Sequence, residues 1–177
     1  MHAAACLTLV VFMLGGPAGP TSPADALGPR LSGRVTVALA STPAVLRPGE
    51  PVMVHVEVAP QRGIRVYAPG NRDYLPVSLS LDWPRQVKAE EPRYPAAEPY
   101  VFGELKELVQ VYSRPFRITQ KVTLAAGPAA SRGRTIDVTG VLRYQSCDDR
   151  VCFPVESIPL HLTIPVDSAG STGRPSK

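Results

Sequence analysis

Valine recurs at every second position in the stretch VMVHVEV, where Val52, Val54, Val56 and Val58 fall on one side and Met53, His55 and Glu57 on the other. This period of two restricts the fold more than any other feature, because only an extended strand puts alternate side chains on one face. The same alternation runs through RVTVALA (Val35, Val37, Leu39), VSLSLDW (Val77, Leu79, Leu81, Trp83), FRITQKVTL (Phe116, Ile118, Val122, Leu124), TIDVTGVLRYQ and IPLHLTI. Turn signals separate these runs: Arg47-Pro48-Gly49, Ala68-Pro69-Gly70, Gly127-Pro128 and Arg132-Gly133. Twenty prolines among 177 residues leave little room for long helices, because proline lacks the amide that an interior helical turn uses. Only GELKELVQ, Gly103 to Gln110, reads as a helical turn, and it reads equally well as the approach to a strand. Seven or eight short strands with frequent turns predict an all-β chain folded as a β-sandwich.

The two ends have a different character. An apolar run from Ala3 to Leu14 precedes Gly, Pro and Ser, and Ala24-Asp25-Ala26 has the small-x-small form of a signal peptidase site. This layout predicts a signal peptide over residues 1–26, cleaved near Ala26, and a periplasmic or secreted product. The apolar run is about twelve residues long, short of the ~20 that cross a bilayer, so no membrane span is expected in the mature chain. Residues 27–167 then make one domain, large enough to bury a core. The segment SAGSTGRPSK, from Ser168 to Lys177, offers nothing apolar to dock and reads as a disordered tail. The net charge of +4 rises by one when Asp25 leaves. The cations are scattered and no basic run carries interleaved aromatics, which argues against a nucleic-acid partner. No nucleophile elbow and no glycine-rich phosphate loop is present.

Cysteine usage is more telling. Cys6 leaves with the signal, so the mature chain keeps Cys147 and Cys152 alone, in RYQSCDDRVCFPVESIPL. A strand runs into the first and another leaves after the second, which places the pair at the mouth of a β-hairpin. Opposed residues in a hairpin have Cβ atoms about 4.5–5.5 Å apart, and a disulfide wants about 3.5–4.5 Å, so a bridge is feasible. It would close a very small loop inside a ladder that already holds its ends, a gain of roughly 2 kcal/mol. A sandwich in need of a staple would join distant strands. The residues leave two readings open, a labile redox pair or a local structural clip. A metal clip fails on ligand count: zinc takes about four ligands, and beyond the two thiols the mature chain has only His55 and His161, each inside a strand.

Two neighbouring clusters bear on the pair. Asp148 and Asp149 follow Cys147 directly; they read as a solvated acidic turn that also holds the Cys147 thiol protonated, while Arg150 acts in the opposite sense. In AEPYVFGEL, Tyr100 and Phe102 sit beside Gly103. They read either as core aromatics or as a lid over the cysteines.

The stretch YQSCDDRVCFP, with a strand on each side, resembles the cysteine hairpin of the N-terminal periplasmic domain of DsbD-type thiol:disulfide interchange proteins. GIRVYAPGNRDYLPVSLSL resembles the early strands of that domain, and the resemblance extends from about Gly33 to Pro165. It implies an immunoglobulin-like β-sandwich with a cysteine-bearing hairpin, no cofactor, and electron transfer from a thioredoxin-like or membrane donor to periplasmic partner proteins. It further implies that Cys152 forms the mixed disulfide with partners and Cys147 resolves it. Tyr67 would line the site, and Tyr100 or Phe102 would cap it. The chain differs from well-known members in having four residues between the cysteines rather than five. It also reads Cys-Phe-Pro-Val where Cys-Tyr-Pro-Pro is common, and its 177 residues carry no membrane or thioredoxin domain, so a donor in trans is expected. The alternative function is a non-catalytic immunoglobulin-like binding module with a structural disulfide.

Overall fold

The computed structural model describes residues 30–103, 106–126 and 135–167. The expected signal peptide at 1–26 and the expected tail from Ser168 lie outside the described residues. Twelve strands and no helix occur among the described residues: β1 (Arg30–Ser32), β2 (Val35–Thr42), β3 (Pro51–Pro60), β4 (Arg65–Tyr67), β5 (Ser78–Asp82), β6 (Val87–Ala89), β7 (Glu98–Phe102), β8 (Glu107–Tyr112), β9 (Phe116–Leu124), β10 (Thr135–Tyr144), β11 (Ser146–Cys147) and β12 (Glu156–Pro165). The count exceeds the seven or eight alternating runs because β1, β4, β6 and β11 are only two or three residues long, too short to show a period. Of the two readings of Gly103–Gln110, the strand is the one that forms, from Glu107 onward.

The strands make three antiparallel sheets, ordered β1-β2-β3-β9-β6, β12-β10-β5 and β11-β4-β8-β7. The first two face each other across one buried cluster. It takes Val52, Val54, Val56 and Val58 from β3, Ile118 and Val122 from β9, and Val138, Leu142, Leu160, Leu162 and Ile164 from β10 and β12. This is an all-β, immunoglobulin-like sandwich. Full burial of one such side chain is worth about 1.5–3 kcal/mol. A one-residue slip of β3 would turn His55 and Glu57 into that layer, so the valine period also locks the register. Gly140 lets β10 lie flat against β5: a Cβ there would come within 2.3 Å of the Ser80 carbonyl oxygen.

β10 and β12 pair over ten residues, from Thr135↔Pro165 to Tyr144↔Glu156. Beyond Tyr144 the chain leaves this sheet. Ser146 and Cys147 pair with Val66 and Arg65 of β4 in the third sheet, and Cys147 then faces Cys152 as an isolated antiparallel bridge. Between these two pairings the first strand advances three residues and the second four, so one residue falls out of register, as in a β-bulge. Cys147 is held by its pairing with β4, and Cys152 faces it across the bridge, without any help from a covalent bond. We therefore expect the Cys147→Ser/Cys152→Ser double variant to lose no more than about 2 kcal/mol relative to the oxidised protein. Urea midpoints of the two forms measure it, and outright unfolding of the variant would show that the pair is a required clip.

Candidate thiol site

The third sheet builds a small pocket of its own, and the alternation of three strands explains which residues enter it. On β4, Val66 points into the main core while Arg65 and Tyr67 point the other way, toward the cysteines. On β7, Tyr100 and Phe102 turn inward and Val101 outward; on β8, Val109 and Val111 turn inward and Leu108 outward. Tyr67, Val109, Val111 and Cys147 form a buried cluster, with Tyr74, Tyr100, Phe102 and Cys152 packed on it. The recess beside Cys147 is apolar and has no room for a water molecule.

The two sulfurs are free thiols 2.9 Å apart. They differ in access: Cys147 is 3 % exposed, whereas Cys152 is half-buried and lies next to exposed Val151. Tyr67 holds both. Its hydroxyl accepts a hydrogen bond from the Cys147 thiol at 2.8 Å and lies 3.2 Å from Cys152 Sγ. Burial, first of all, pushes the Cys147 thiol up to about 12; its contact with Cys152 adds to this and the Tyr67 hydroxyl opposes it. Tyr67 is itself raised, mainly by burial and then by its two thiol partners. Both groups are therefore neutral near pH 7.

In the acidic loop, the charge of Asp148 helps to raise the Cys147 thiol, after burial and the contact with Cys152. Asp148 shapes the turn: its Oδ1 accepts the backbone N–H groups of Arg150 at 2.7 Å and Val151 at 2.8 Å, which hold its carboxyl below the usual range. Asp149 turns away to pair with Arg65 at 2.7 Å and to accept the Tyr100 hydroxyl at 3.1 Å. The Arg65 guanidinium in turn lies over the Tyr100 ring, 3.9 Å from its centre. Arg150 contributes its backbone N–H to the turn. Sequence reasoning set Asp148, Asp149 and Arg150 beside the sulfurs because they adjoin them in the chain; the structure engages the Asp148 carboxyl with the turn amides and the Asp149 carboxyl with Arg65 and Tyr100.

Several residues at the site carried no signal in the sequence. Gln145 ties three segments together: its carbonyl accepts the Leu75 N–H at 3.1 Å, its amide donates to the Phe153 carbonyl at 3.3 Å, and its own backbone carbonyl accepts the Tyr67 N–H at 3.1 Å. Tyr74 stacks on Tyr67 with ring centres 4.2 Å apart and donates its hydroxyl to Glu107 at 2.7 Å. Arg34 lies over the Phe153 ring at 3.6 Å and pairs with Glu156, which also accepts the Tyr144 hydroxyl. All of them stand inside stretches quoted above, but nothing in the sequence assigned them a place at the site. Among the described residues no three His, Cys, Asp or Glu side chains gather as a metal site would require.

An immunoglobulin-like sandwich with two facing thiols on a side sheet defines a domain of the thiol:disulfide interchange class. The chain belongs to the family described as "Thiol:disulfide interchange protein DsbD, N-terminal", which matches residues 36–162. The crystal structure of the N-terminal periplasmic domain of ScsB from Proteus mirabilis shares the fold, with a TM-score of 0.54 and 12% identity over 76% of this chain and 49% of that one. This chain thus spans about half the length of that structure. The reduced DsbD N-terminal domain of Neisseria meningitidis is 18% identical over 62% of this chain and 75% of that one, with a TM-score of 0.42. No curated protein sequence matches.

Tyr100 and Phe102 share the inward face of β7, so both cover the cluster, and Tyr100 is additionally fastened by Arg65 and Asp149. With Asp149 mostly exposed, that ion pair is worth less than about 1 kcal/mol. We expect Tyr100→Ala and Phe102→Ala each to speed alkylation of the reduced protein by iodoacetamide severalfold, with Asp149→Asn intermediate. If neither aromatic variant exceeds the parent rate, the two rings do not shield the pair.

Proposed function

We propose that this chain is an exported thiol–disulfide exchange domain that passes electron pairs between a thioredoxin-like or membrane donor and periplasmic partner proteins through Cys147 and Cys152. Membership of the DsbD N-terminal family supports the chemistry. The signal-like segment at residues 1–26 and the periplasmic origin of the ScsB domain support the compartment. The observation that carries the reading is the unequal burial of two facing thiols that share one hydroxyl.

Exchange needs one sulfur that meets a partner and one that finishes the reaction. The half-buried Cys152 suits the first task. Its thiolate attacks a partner disulfide, forms an S–S bond to one partner sulfur and releases the other as a thiolate. Cys147, 2.9 Å away and sealed from solvent, suits the second. It loses its proton, attacks Cys152 Sγ and displaces the remaining partner sulfur. The partner gains two electrons and the Cys147–Cys152 pair becomes a disulfide, which a donor dithiol later reduces by the same steps in reverse. No cofactor enters, because the electrons travel in S–S bonds. The reason for choosing Cys152 is access and burial, in place of the neighbouring carboxylates.

The competing reading is a binding module in which the pair is an inert clip. Single-cysteine variants separate the two. Mixed with an oxidised thioredoxin-like protein, Cys147→Ser is expected to accumulate a mixed disulfide readily and Cys152→Ser to form it poorly. The reverse order would overturn the assignment of the two sulfurs, and equal inertness in both would favour the clip.

A further inference from the structure

The outer sulfur sits at the head of an arm that lies outside the strands. Between the Cys147↔Cys152 bridge and the start of β12 at Glu156 come Phe153, Pro154 and Val155, none of them in a strand. Backbone bonds hold the near end: the Phe153 N–H donates to the Ser146 carbonyl at 2.8 Å, and the Phe153 carbonyl accepts the Gln145 amide at 3.3 Å. Pro154 and Val155 beyond it are exposed. One side chain spans the arm from end to end. The Arg34 guanidinium lies 3.6 Å from the centre of the Phe153 ring, the residue next to Cys152, and pairs with the Glu156 carboxylate at the far end.

We propose that Arg34 is a positioning residue for Cys152: by bracing Phe153 and Glu156 together, it keeps the outer sulfur within reach of Cys147 while a partner is attached. The inference rests on the exchange reading above. Cys147 Sγ has to meet Cys152 Sγ in line with the bond to the partner sulfur, and a small misplacement of either sulfur slows such a step steeply. A protein joined to Cys152 pulls on the arm as it tumbles. The brace resists that pull, because moving Phe153 would lift its ring from the guanidinium that Glu156 holds. Arg34 takes no part in the exchange of bonds itself; it acts through the backbone that carries the sulfur.

The fold fixes Arg34 by contacts unrelated to the thiols. It stands in the two-residue turn between β1 and β2, and Gln61 fastens that turn twice: its N–H donates to the Arg34 carbonyl at 2.9 Å and its side-chain amide to the Gly33 carbonyl at 2.8 Å. Gly33 adopts a φ of 42°, and a Cβ there would come within 2.9 Å of a Glu156 carboxylate oxygen, so the turn lies directly on that carboxylate. The Tyr144 hydroxyl donates to Glu156 Oε2 at 2.8 Å, from the last pair of the β10–β12 ladder. The brace is thus anchored in the first sheet through its turn and in the second through Glu156. Arginine suits the place because its flat guanidinium lies on a ring while its N–H edge meets a carboxylate.

Three substitutions test the idea. Arg34→Ala removes the brace, Phe153→Leu keeps an apolar side chain but removes the ring face, and Phe153→Tyr puts a ring back. The probe is 5,5′-dithiobis(2-nitrobenzoic acid), which releases one coloured thiolate when Cys152 reacts and a second when Cys147 resolves the adduct. The second phase is unimolecular and independent of reagent concentration. We expect it to slow about tenfold in Arg34→Ala and in Phe153→Leu and to recover in Phe153→Tyr, with the first phase unchanged. The same tenfold loss is expected in the equilibrium constant for closing the disulfide against glutathione, a rise in reduction potential of about 30 mV. A general loss of structure would slow or speed both phases together. Second phases equal to the parent in Arg34→Ala and Phe153→Leu overturn the assignment, as do equal changes in both phases or a failure of Phe153→Tyr to recover. A parent that releases no second equivalent overturns the exchange reading instead.

Discussion

The one-residue change of register between the Tyr144↔Glu156 and Cys147↔Cys152 pairings is what the site depends on. Without it the hairpin would simply continue the β12-β10-β5 sheet, with its tip in solvent. The offset instead carries Ser146 and Cys147 across to β4, so the first sulfur is delivered into the cluster of the third sheet. The second sulfur, on the returning arm, packs on that cluster and stays half-buried. One bulge therefore makes both the proximity of the thiols and their inequality.

Inequality is what gives a dithiol a direction of use. Two equally exposed thiols would each attack any disulfide they met, and two buried ones would attack nothing. Here the dry recess around Cys147 disfavours its thiolate, and the cost is spent on a sulfur that reacts only within the molecule, with its target already in contact. The Tyr67 hydroxyl is the single polar group supplied to the buried sulfur. Burial and the two thiols push that hydroxyl up, so it stays a neutral hydrogen-bonding partner in place of a competing anion.

The β7–β8 hairpin packs beside the thiols. β7 and β8 present apolar residues on both faces: Tyr100, Phe102, Val109 and Val111 inward, and Val101 and Leu108 outward, the latter two more than half exposed. β7 is the last strand of its sheet; β8, the Arg65–Tyr100–Asp149 contacts, the Glu98 bonds to Ser113 and Arg114, and the packing of Tyr100 and Phe102 on the buried cluster hold it.

Much of this was written in the order of residues. Alternating Val52 to Val58, Phe116 to Leu124 and the two arms around the cysteines determined an all-β sandwich, because strand period and hydrophobic burial are local properties that need no knowledge of partners. The pair Cys147 and Cys152, and the presence of aromatics in RVYAPG and EPYVFGE, were equally legible. The short strands β4 and β11 were not, since two or three residues carry no period and take their conformation from the neighbour they pair with. Nor was the job of each charge. Chain adjacency set Asp149 and Arg150 beside Cys147, but the turn aims Asp149 at Arg65 and Tyr100, residues 84 and 49 positions earlier. Tyr74 and Glu107 stood inside quoted stretches with no sign that they meet beside Tyr67, lying 73 and 40 positions before Cys147. Sequence determined which faces are apolar and which atoms are reactive. Only the tertiary structure decided which sulfur is sealed and which side chains reach it, because burial and hydrogen bonding are set by segments far apart along the chain.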